Sequence, residues 1–265
     1  MKTSIFLIIK IELLKFLKRS DWVSIIGFVC IGFIFALNMR GEGYRGVEDQ
    51  NALFWVVTQL LTTTTLFIGP VIMAFVGTQM LSSEIDNKSI LLFSSRIRNR
   101  AKMYIGKSIA LVIVSLLFFL LSVGILSAIY FLFTDKDSAY VSGTFFGNNV
   151  PELFLILIMN YVFTFLFIPQ LALFLGAWLK PLVTIIAVFG ITLVCTNTGT
   201  LDGVKYFNPM YYMVRMSNDV VSTTEAVAVK ASESVFCICM QLILCIMLCL
   251  LFALVGAKRM RERDL

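Results

Sequence analysis

Long apolar runs constrain this chain more than any other feature of its sequence. The 265 residues contain runs of 16 to 30 residues without Asp, Glu, Lys or Arg. About 20 apolar residues cross a bilayer as an α-helix, and a segment in lipid must satisfy its backbone hydrogen bonds internally. With 59% hydrophobic and 14% charged residues, the composition also excludes a water-soluble globular protein. We therefore expect an all-α polytopic membrane protein that forms one domain over residues 1–265.

Six of these runs are predicted to span the membrane. The second run is about 45 Å long as a helix, longer than the hydrocarbon core of about 30 Å, so we expect a bend at Gly69-Pro70. Residues 1–21 precede the first span, residues 82–107 connect the second and third spans, and residues 198–234 connect the last two. The predicted spans are 22–38, 52–81, 108–133, 153–178, 182–197 and 235–257.

The distribution of basic residues predicts the orientation of the spans. Sixteen of the 22 Lys and Arg residues fall on the side that carries both termini and the 82–107 segment. Because basic residues concentrate on the cytoplasmic side, we expect both termini to be cytoplasmic in a multi-pass protein of the cell membrane. The net charge of +6 is then explained by topology, and no nucleic-acid partner is expected.

Several kinds of chemistry lack their usual residues. The chain has no histidine and no phosphate-binding loop of the G-x-x-x-x-G-K-[ST] type. The six cysteines lie in or beside apolar runs, where they are expected to be core residues. With the predicted boundaries no span contains a charged residue, which disfavours an ion-driven transporter. We expect no catalytic site, metal or cofactor, and any uphill transport needs energy from another polypeptide.

Residues 1–21 are predicted to form an amphipathic helix at the cytoplasmic interface. The apolar arc comprises Ile5, Phe6, Ile9, Leu13, Phe16 and Leu17, and the polar arc comprises Glu12, Lys15, Lys18 and Arg19. Such a helix lies among the lipid headgroups with its apolar arc in the acyl boundary. It serves either as a generic membrane anchor or as an elbow about which the first span pivots.

Polar residues mark one face of the second run. Thr58, Thr62 and Thr65 recur at helical spacing, with Gln59 beside them. In a membrane helix such side chains either face a subunit interface or a transport pathway, or bond back to carbonyls of their own helix. Both interpretations stay open.

The 82–107 segment combines a short apolar patch with charged flanks. Its candidate contact residues are Glu84, Ile90, Leu91, Leu92, Phe93 and Arg96. The patch is too short to cross a membrane, but it suits a short helix docked in the groove of another protein. The alternative is a solvated loop whose basic residues face the headgroups.

The order of residues in and after this segment follows a recognisable pattern. The pattern comprises Glu84, Ser89, Leu91, Leu92, Ser95, Arg96, Lys102, Gly106, Lys107 and the step Asn208-Pro209-Met210-Tyr211-Tyr212. With the order of the spans, it resembles the permeases of ABC-2 type transporters. The resemblance covers essentially the whole chain, and one departure is Lys88-Ser89 where the family usually has Gly-Thr. It implies six spans, an elbow helix, a coupling helix within 82–107, and short helices within 198–234 that dip into the outer leaflet.

The resemblance also implies a function and partners. The chain is expected to be the permease subunit of an ATP-driven exporter, paired with cytoplasmic ATPase subunits and with a second permease copy or paralogue. Its size is similar to permeases that clear antimicrobial or amphipathic peptides, so a peptide cargo is favoured over a lipid, glycan or drug. The alternative class is a membrane binding, immunity or scaffold protein that acts without ATP.

Overall fold

The computed structural model of the protein describes residues 5–19, 25–38, 51–90, 100–133, 142–147, 150–199, 201–221 and 231–262. These residues are largely helical and contain no β-strand, which confirms the predicted all-α class. The helices are α1 (Ile5–Lys18), α2 (Ile25–Asn38), α3 (Ala52–Thr65), α4 (Ile68–Asp86), α5 (Arg100–Phe133), α6 (Val150–Asn160), α7 (Ile168–Leu175), α8 (Pro181–Thr198), α9 (Pro209–Val221) and α10 (Ala231–Glu262).

Five helices in the described part of the chain are long and apolar enough to cross a membrane. They are α4, α5, the continuous helix Val150–Leu175, α8 and the part of α10 from Glu233 onward. They correspond to the second through sixth predicted runs. The first run is described only over α2, whose 14 residues span roughly 21 Å, less than a hydrocarbon core. The protein is therefore a multi-pass membrane protein with five such helices among the described residues.

The second apolar run forms two helices rather than one bent helix. α3 ends at Thr65 and α4 begins at Ile68, and Phe67 between them has a left-handed backbone with φ 61°. The predicted bend at Gly69-Pro70 is therefore wrong by two residues. Pro70 is the third residue of α4, where its missing N–H costs little because the first turn of a helix has no internal acceptors.

The fourth span contains a turn type that the sequence analysis did not predict. Between α6 and α7 the chain continues as a π-helix over Tyr161–Phe167, and Ile168 N–H donates to the Phe163 carbonyl five residues back. π-Helical turns are rare and insert extra residues into a helix, which changes the direction of the side chains that follow.

Two glycines allow close helix contacts that position the site described below. A Cβ on Gly77 of α4 would lie 2.5 Å from the Pro169 carbonyl oxygen, so α4 and α7 touch through backbone. A Cβ on Gly106 of α5 would lie 2.7 Å from Cγ2 of Ile8 in α1. α1 therefore lies directly on the start of α5, near the end of α4.

Candidate functional site

Five charged side chains meet where α1, the end of α4 and the start of α5 come together. We call them the ion-pair cluster: Glu12, Lys15, Arg19, Glu84 and Lys107. The cluster contains three cations and two carboxylates. The cluster therefore connects α1 to both helices that flank the 82–107 segment.

Glu84 is the carboxylate on which the cluster converges. Its Oε1 accepts from Lys15 Nζ at 3.1 Å and from Arg19 Nη2 at 3.0 Å, and its Oε2 accepts from Lys107 Nζ at 2.8 Å. The residue is 2% exposed. A carboxylate this deeply buried is tolerated because charged donors replace the water it has lost.

Lys107 provides the corresponding cation and is 1% exposed. Its ammonium lies 2.8 Å from Glu84 Oε2, 2.9 Å from Glu12 Oε2 and 2.8 Å from the Met80 carbonyl oxygen. An ammonium has three N–H groups, so these three acceptors use its full donor capacity. Glu12 also accepts from Lys15 at 3.1 Å, which closes the network.

α1 packs on the rest of the protein through one face. Ile8, Glu12 and Phe16 are buried at i, i+4, i+8 spacing, whereas Phe6 and Leu17 of the predicted apolar arc are exposed on the protein surface, which leaves them open to lipid. Glu12 of the predicted polar arc faces the protein interior rather than the headgroups. The physical reason is the Lys107 ammonium, which gives Glu12 a partner inside the protein; hydropathy periodicity cannot detect such a partner.

The predicted docking patch is described only at its start. Glu84 lies in the ion-pair cluster, and Ile90 is 1% exposed and packs in the hydrophobic core. Ile90 therefore does not present a free surface. Leu91, Leu92, Phe93 and Arg96 lie outside the described residues.

The turn after α4 contains the position at which the chain departs from the family pattern. Lys88 has a left-handed backbone with φ 55°, a conformation that favours glycine. This is the position at which the family usually has Gly. The turn is held by Lys88 N–H, which donates to the Ile85 carbonyl at 3.1 Å, and by the Ser89 hydroxyl, which donates to the Glu84 carbonyl at 3.3 Å. The lysine thus adopts the backbone conformation that glycine favours, at a conformational cost.

The predicted polar face of the second run bonds to its own helix. Thr58 donates to the Phe54 carbonyl and Thr62 to the Thr58 carbonyl, each at 2.8 Å, and Thr65 donates to the Thr62 carbonyl at 3.0 Å. Gln59 is fully buried. The back-bonding interpretation therefore accounts for the three hydroxyls, and a role in a pathway or subunit interface stays a prediction.

A polar contact between α3 and α6 involves Thr64, the residue next to Thr65 of that face. Asn160 Nδ2 donates to Thr64 Oγ1 at 3.0 Å and to the Leu60 carbonyl at 3.3 Å, and the hydroxyls of Thr64 and Thr164 are 2.9 Å apart. These side chains are at most 1% exposed. The sequence analysis missed this contact, although an Asn and a Thr four residues apart inside an apolar run are a usable signal.

The described residues offer no metal site. No group of three or more His, Cys, Asp and Glu side chains among them could hold a metal ion. The ion-pair cluster has a mechanical role, because it holds three helices together at one end of the bundle.

Comparison with protein families gives a match that covers most of the chain. A family model described as "ABC-2 family transporter protein" matches residues 8–199, which include most of α1, the ion-pair cluster and α8. Comparison with curated proteins and with solved structures gives no match.

Proposed function

This chain belongs to the ABC-2 family of transporter proteins, and from that premise we propose that it is the permease subunit of an ATP-driven exporter. Proteins of this family are membrane transport subunits and are not themselves catalytic, and membership implies association with an ATP-binding cassette subunit. In this proposal the ATPase subunits bind on the cytoplasmic side, where both termini lie, and a second permease copy or paralogue completes the transporter.

The proposed contact with the ATPase is the 82–107 segment. Leu91, Leu92, Phe93 and Arg96 dock on the ATPase, while Ile90 anchors the segment in the core of the permease, as its burial supports. Glu84 is assigned to transmission rather than to docking, because its carboxylate binds Lys15, Arg19 and Lys107 of the same chain.

The single observation that carries this proposal is the saturated Glu84–Lys107 pair. It joins the two helices that enter and leave the 82–107 segment, and both residues also bind the elbow helix. A displacement of the segment would therefore move α1, α4 and α5 together. Because α4 packs against α7 and α8, the movement would reach the rest of the bundle.

The proposed cargo is an amphipathic molecule, with a peptide favoured and lipids, glycans and drugs as alternatives. The support is the dominance of apolar side chains along the helices, which suit a cargo that partitions into the membrane. The pathway is proposed to include Thr58, Gln59, Thr62 and Thr65 in the second run.

A double substitution tests the docking assignment. Leu92→Ser with Phe93→Ser should weaken ATPase binding by about a hundredfold or more, because burying each side chain contributes roughly 1.5 to 3 kcal/mol. Ser94→Ala with Ser95→Ala is the matched control in the same segment. The measurement is co-purification of the ATPase together with substrate-stimulated ATP hydrolysis.

A second variant separates transmission from docking. Glu84→Gln should retain the ATPase on purification but lose substrate stimulation, because the neutral amide no longer holds three cations. If assembly and stimulated hydrolysis match wild type in both Leu92→Ser/Phe93→Ser and Glu84→Gln, the coupling proposal is wrong. The alternative of a membrane binding or immunity protein acting without ATP then gains support.

A further inference from the structure

A cavity of about 310 Å³ lies where the end of α8 meets α9. We call it the far-end cavity, because it lies opposite the ion-pair cluster. α8 begins near that cluster, since the Ser82 hydroxyl donates to the Leu179 carbonyl at 2.7 Å, and its 18 residues extend roughly 27 Å. The cavity is lined by Cys195, Thr196, Gly199, Met210, Tyr211, Val214 and Arg215.

Asn208 gives this cavity a fixed shape. Its amide nitrogen donates to the Cys195 carbonyl and, at 3.2 Å, to the Thr198 hydroxyl, both at the end of α8. Its amide oxygen accepts from Met210 N–H at 2.9 Å, at the start of α9. One buried side chain therefore caps one helix and begins the other, so the cavity between them is built into the fold.

The lining of the far-end cavity contains one cationic side chain and a wall of apolar side chains. Arg215 supplies the charge, and its side chain is 41% exposed. The nearest carboxylate with which it pairs is Glu233, at 3.8 Å and 54% exposed, which is longer than a hydrogen bond. Arg215 also interacts with the Tyr211 side chain. A guanidinium has five N–H groups, so Arg215 can still bind an incoming anion with two of them.

A second cation lies beside the cavity. Lys205 Nζ is 5.9 Å from the ring centre of Tyr211, and it pairs with Asp202 at 2.6 Å. The Asp202 side chain is 93% exposed. The charge of Lys205 is compensated by Asp202, so the loosely paired Arg215 is the cation left to attract an anion.

We propose that the far-end cavity binds the headgroup of an anionic phospholipid. The phosphate binds Arg215, and the glycerol and first acyl carbons pack on Met210 and Val214. A volume of about 310 Å³ lies at the lower limit for small-molecule sites, which suits a headgroup rather than a whole lipid. This assignment is independent of ATP coupling and of the cargo, so either proposal can fail while the other holds.

Gly199 allows the cavity to be filled without disturbing the backbone. A Cβ there would meet only the Thr196 carbonyl oxygen, at 3.6 Å, which is ordinary van der Waals contact. Gly199→Leu should therefore occupy the cavity while α8 keeps its conformation. Gly190 in the same helix would place a Cβ with nothing within 4 Å, and it does not line the cavity. Gly190→Leu is the matched control.

The experiment uses the full-length protein in nanodiscs that contain equal amounts of phosphatidylglycerol and phosphatidylcholine. After extraction, the bound copies of each lipid are counted by native mass spectrometry. Wild type should retain phosphatidylglycerol preferentially. Arg215→Gln should lower that preference about tenfold, since a hydrogen bond to a charged group contributes about 1.5 kcal/mol or more. Gly199→Leu should reduce retention of the lipid, and Gly190→Leu should match wild type.

Three results would overturn the assignment. The first is equal retention of both lipids by wild type, and the second is an unchanged preference in Arg215→Gln. The third is an equal loss in Lys205→Gln, which would indicate general surface charge instead of the cavity. Glycerol phosphate in solution separates the two sources of the anion: binding of glycerol phosphate without preferential retention of phosphatidylglycerol would assign the site to a soluble phosphate and overturn the lipid proposal.

Discussion

The two ends of the molecule use the same ion-pair chemistry in opposite surroundings. In the ion-pair cluster, Glu84 and Lys107 are 2.8 Å apart and at most 2% exposed. At the far end, Lys205 and Asp202 are closer, at 2.6 Å, yet the Asp202 side chain is 93% exposed. The shorter pair, Lys205–Asp202, links residues only three positions apart. The longer pair, Glu84–Lys107, joins two helices. Distance alone therefore does not identify the pair that matters for the fold.

The two pairs differ in their burial and in how many hydrogen-bond donors their charged groups use. Glu12, Glu84 and Lys107 lost their water on folding, whereas the side chains of Lys15 and Arg19 stay 22% and 35% exposed. Removal of one buried member therefore leaves its buried partners uncompensated. The Asp202 carboxyl keeps its water. The hydrogen bond from Lys205 and its charge lower the pKa of Asp202, and the same hydrogen bond raises the pKa of Lys205. Such an exposed pair adds little to stability.

The largest expected effect is that of Lys107→Met. It leaves Glu12 and Glu84 buried near each other without the shared ammonium, and breaking a buried pair in this way costs about 3 to 5 kcal/mol. We expect a much lower midpoint of thermal unfolding for the purified protein in detergent. Lys258→Met, at an exposed position of α10, is the control. Equal midpoints for the two variants would mean that the two ends of the molecule do not differ as proposed.

Asn160→Leu tests whether an uncharged contact between helices can match the charged one. It removes the bonds to Thr64 and to the Leu60 carbonyl, and hydrogen bonds between membrane helices contribute about 0.6 to 1.7 kcal/mol. A moderate decrease in the unfolding midpoint is expected, smaller than for Lys107→Met.

The control for Asn160→Leu is Thr62→Val with Thr65→Val, because those hydroxyls bond back within α3. We expect this double variant to unfold like wild type. If it does so and yet loses transport, the predicted pathway role of this face gains support; a decrease in stability as large as that of Asn160→Leu would contradict the back-bonding interpretation.

Lys88→Gly should stabilise the protein by up to about 1 kcal/mol, because a left-handed backbone costs a non-glycine residue roughly that amount. The unfolding midpoint should rise slightly. Asn87→Gly is the control, because Asn87 has an ordinary φ of −79°. If Lys88→Gly destabilises the protein as much as Asn87→Gly does, the turn does not require the left-handed conformation.

The smallest expected effect is that of Asp202→Asn. Because the folded pKa of Asp202 is lowered, its contribution to stability is present above the ordinary pKa of Asp and is lost as the pH falls through the folded value. Full exposure makes that contribution small, so unfolding midpoints of Asp202→Asn and wild type should agree at pH 7 and at acidic pH. A loss comparable to that of Lys107→Met would remove the contrast between the two ends.

The sequence by itself determined the class of the protein, because hydropathy is a local property that each run carries with it. Uncharged runs predicted a multi-pass helical membrane protein, and five of them form helices long enough to span. α1 and the short helices after α8 were also expected, from local periodicity and from the family pattern. The same pattern pointed to Glu84, Gly106 and Lys107, and the family match confirms the resemblance.

The partners of the charged residues were decided only by the tertiary structure. Lys15 and Glu84 are 69 positions apart, and nothing in either neighbourhood predicts that they meet. The same is true of Glu12, which periodicity placed on the polar arc of α1, and of the Asn160 contact with Thr64 across 96 positions. The break at Phe67 likewise differs from the position expected from Gly69-Pro70. The hydropathy of a run depends only on its own residues and predicts whether the run lies in lipid or in water. The burial of a charge, by contrast, depends on which helix packs over it.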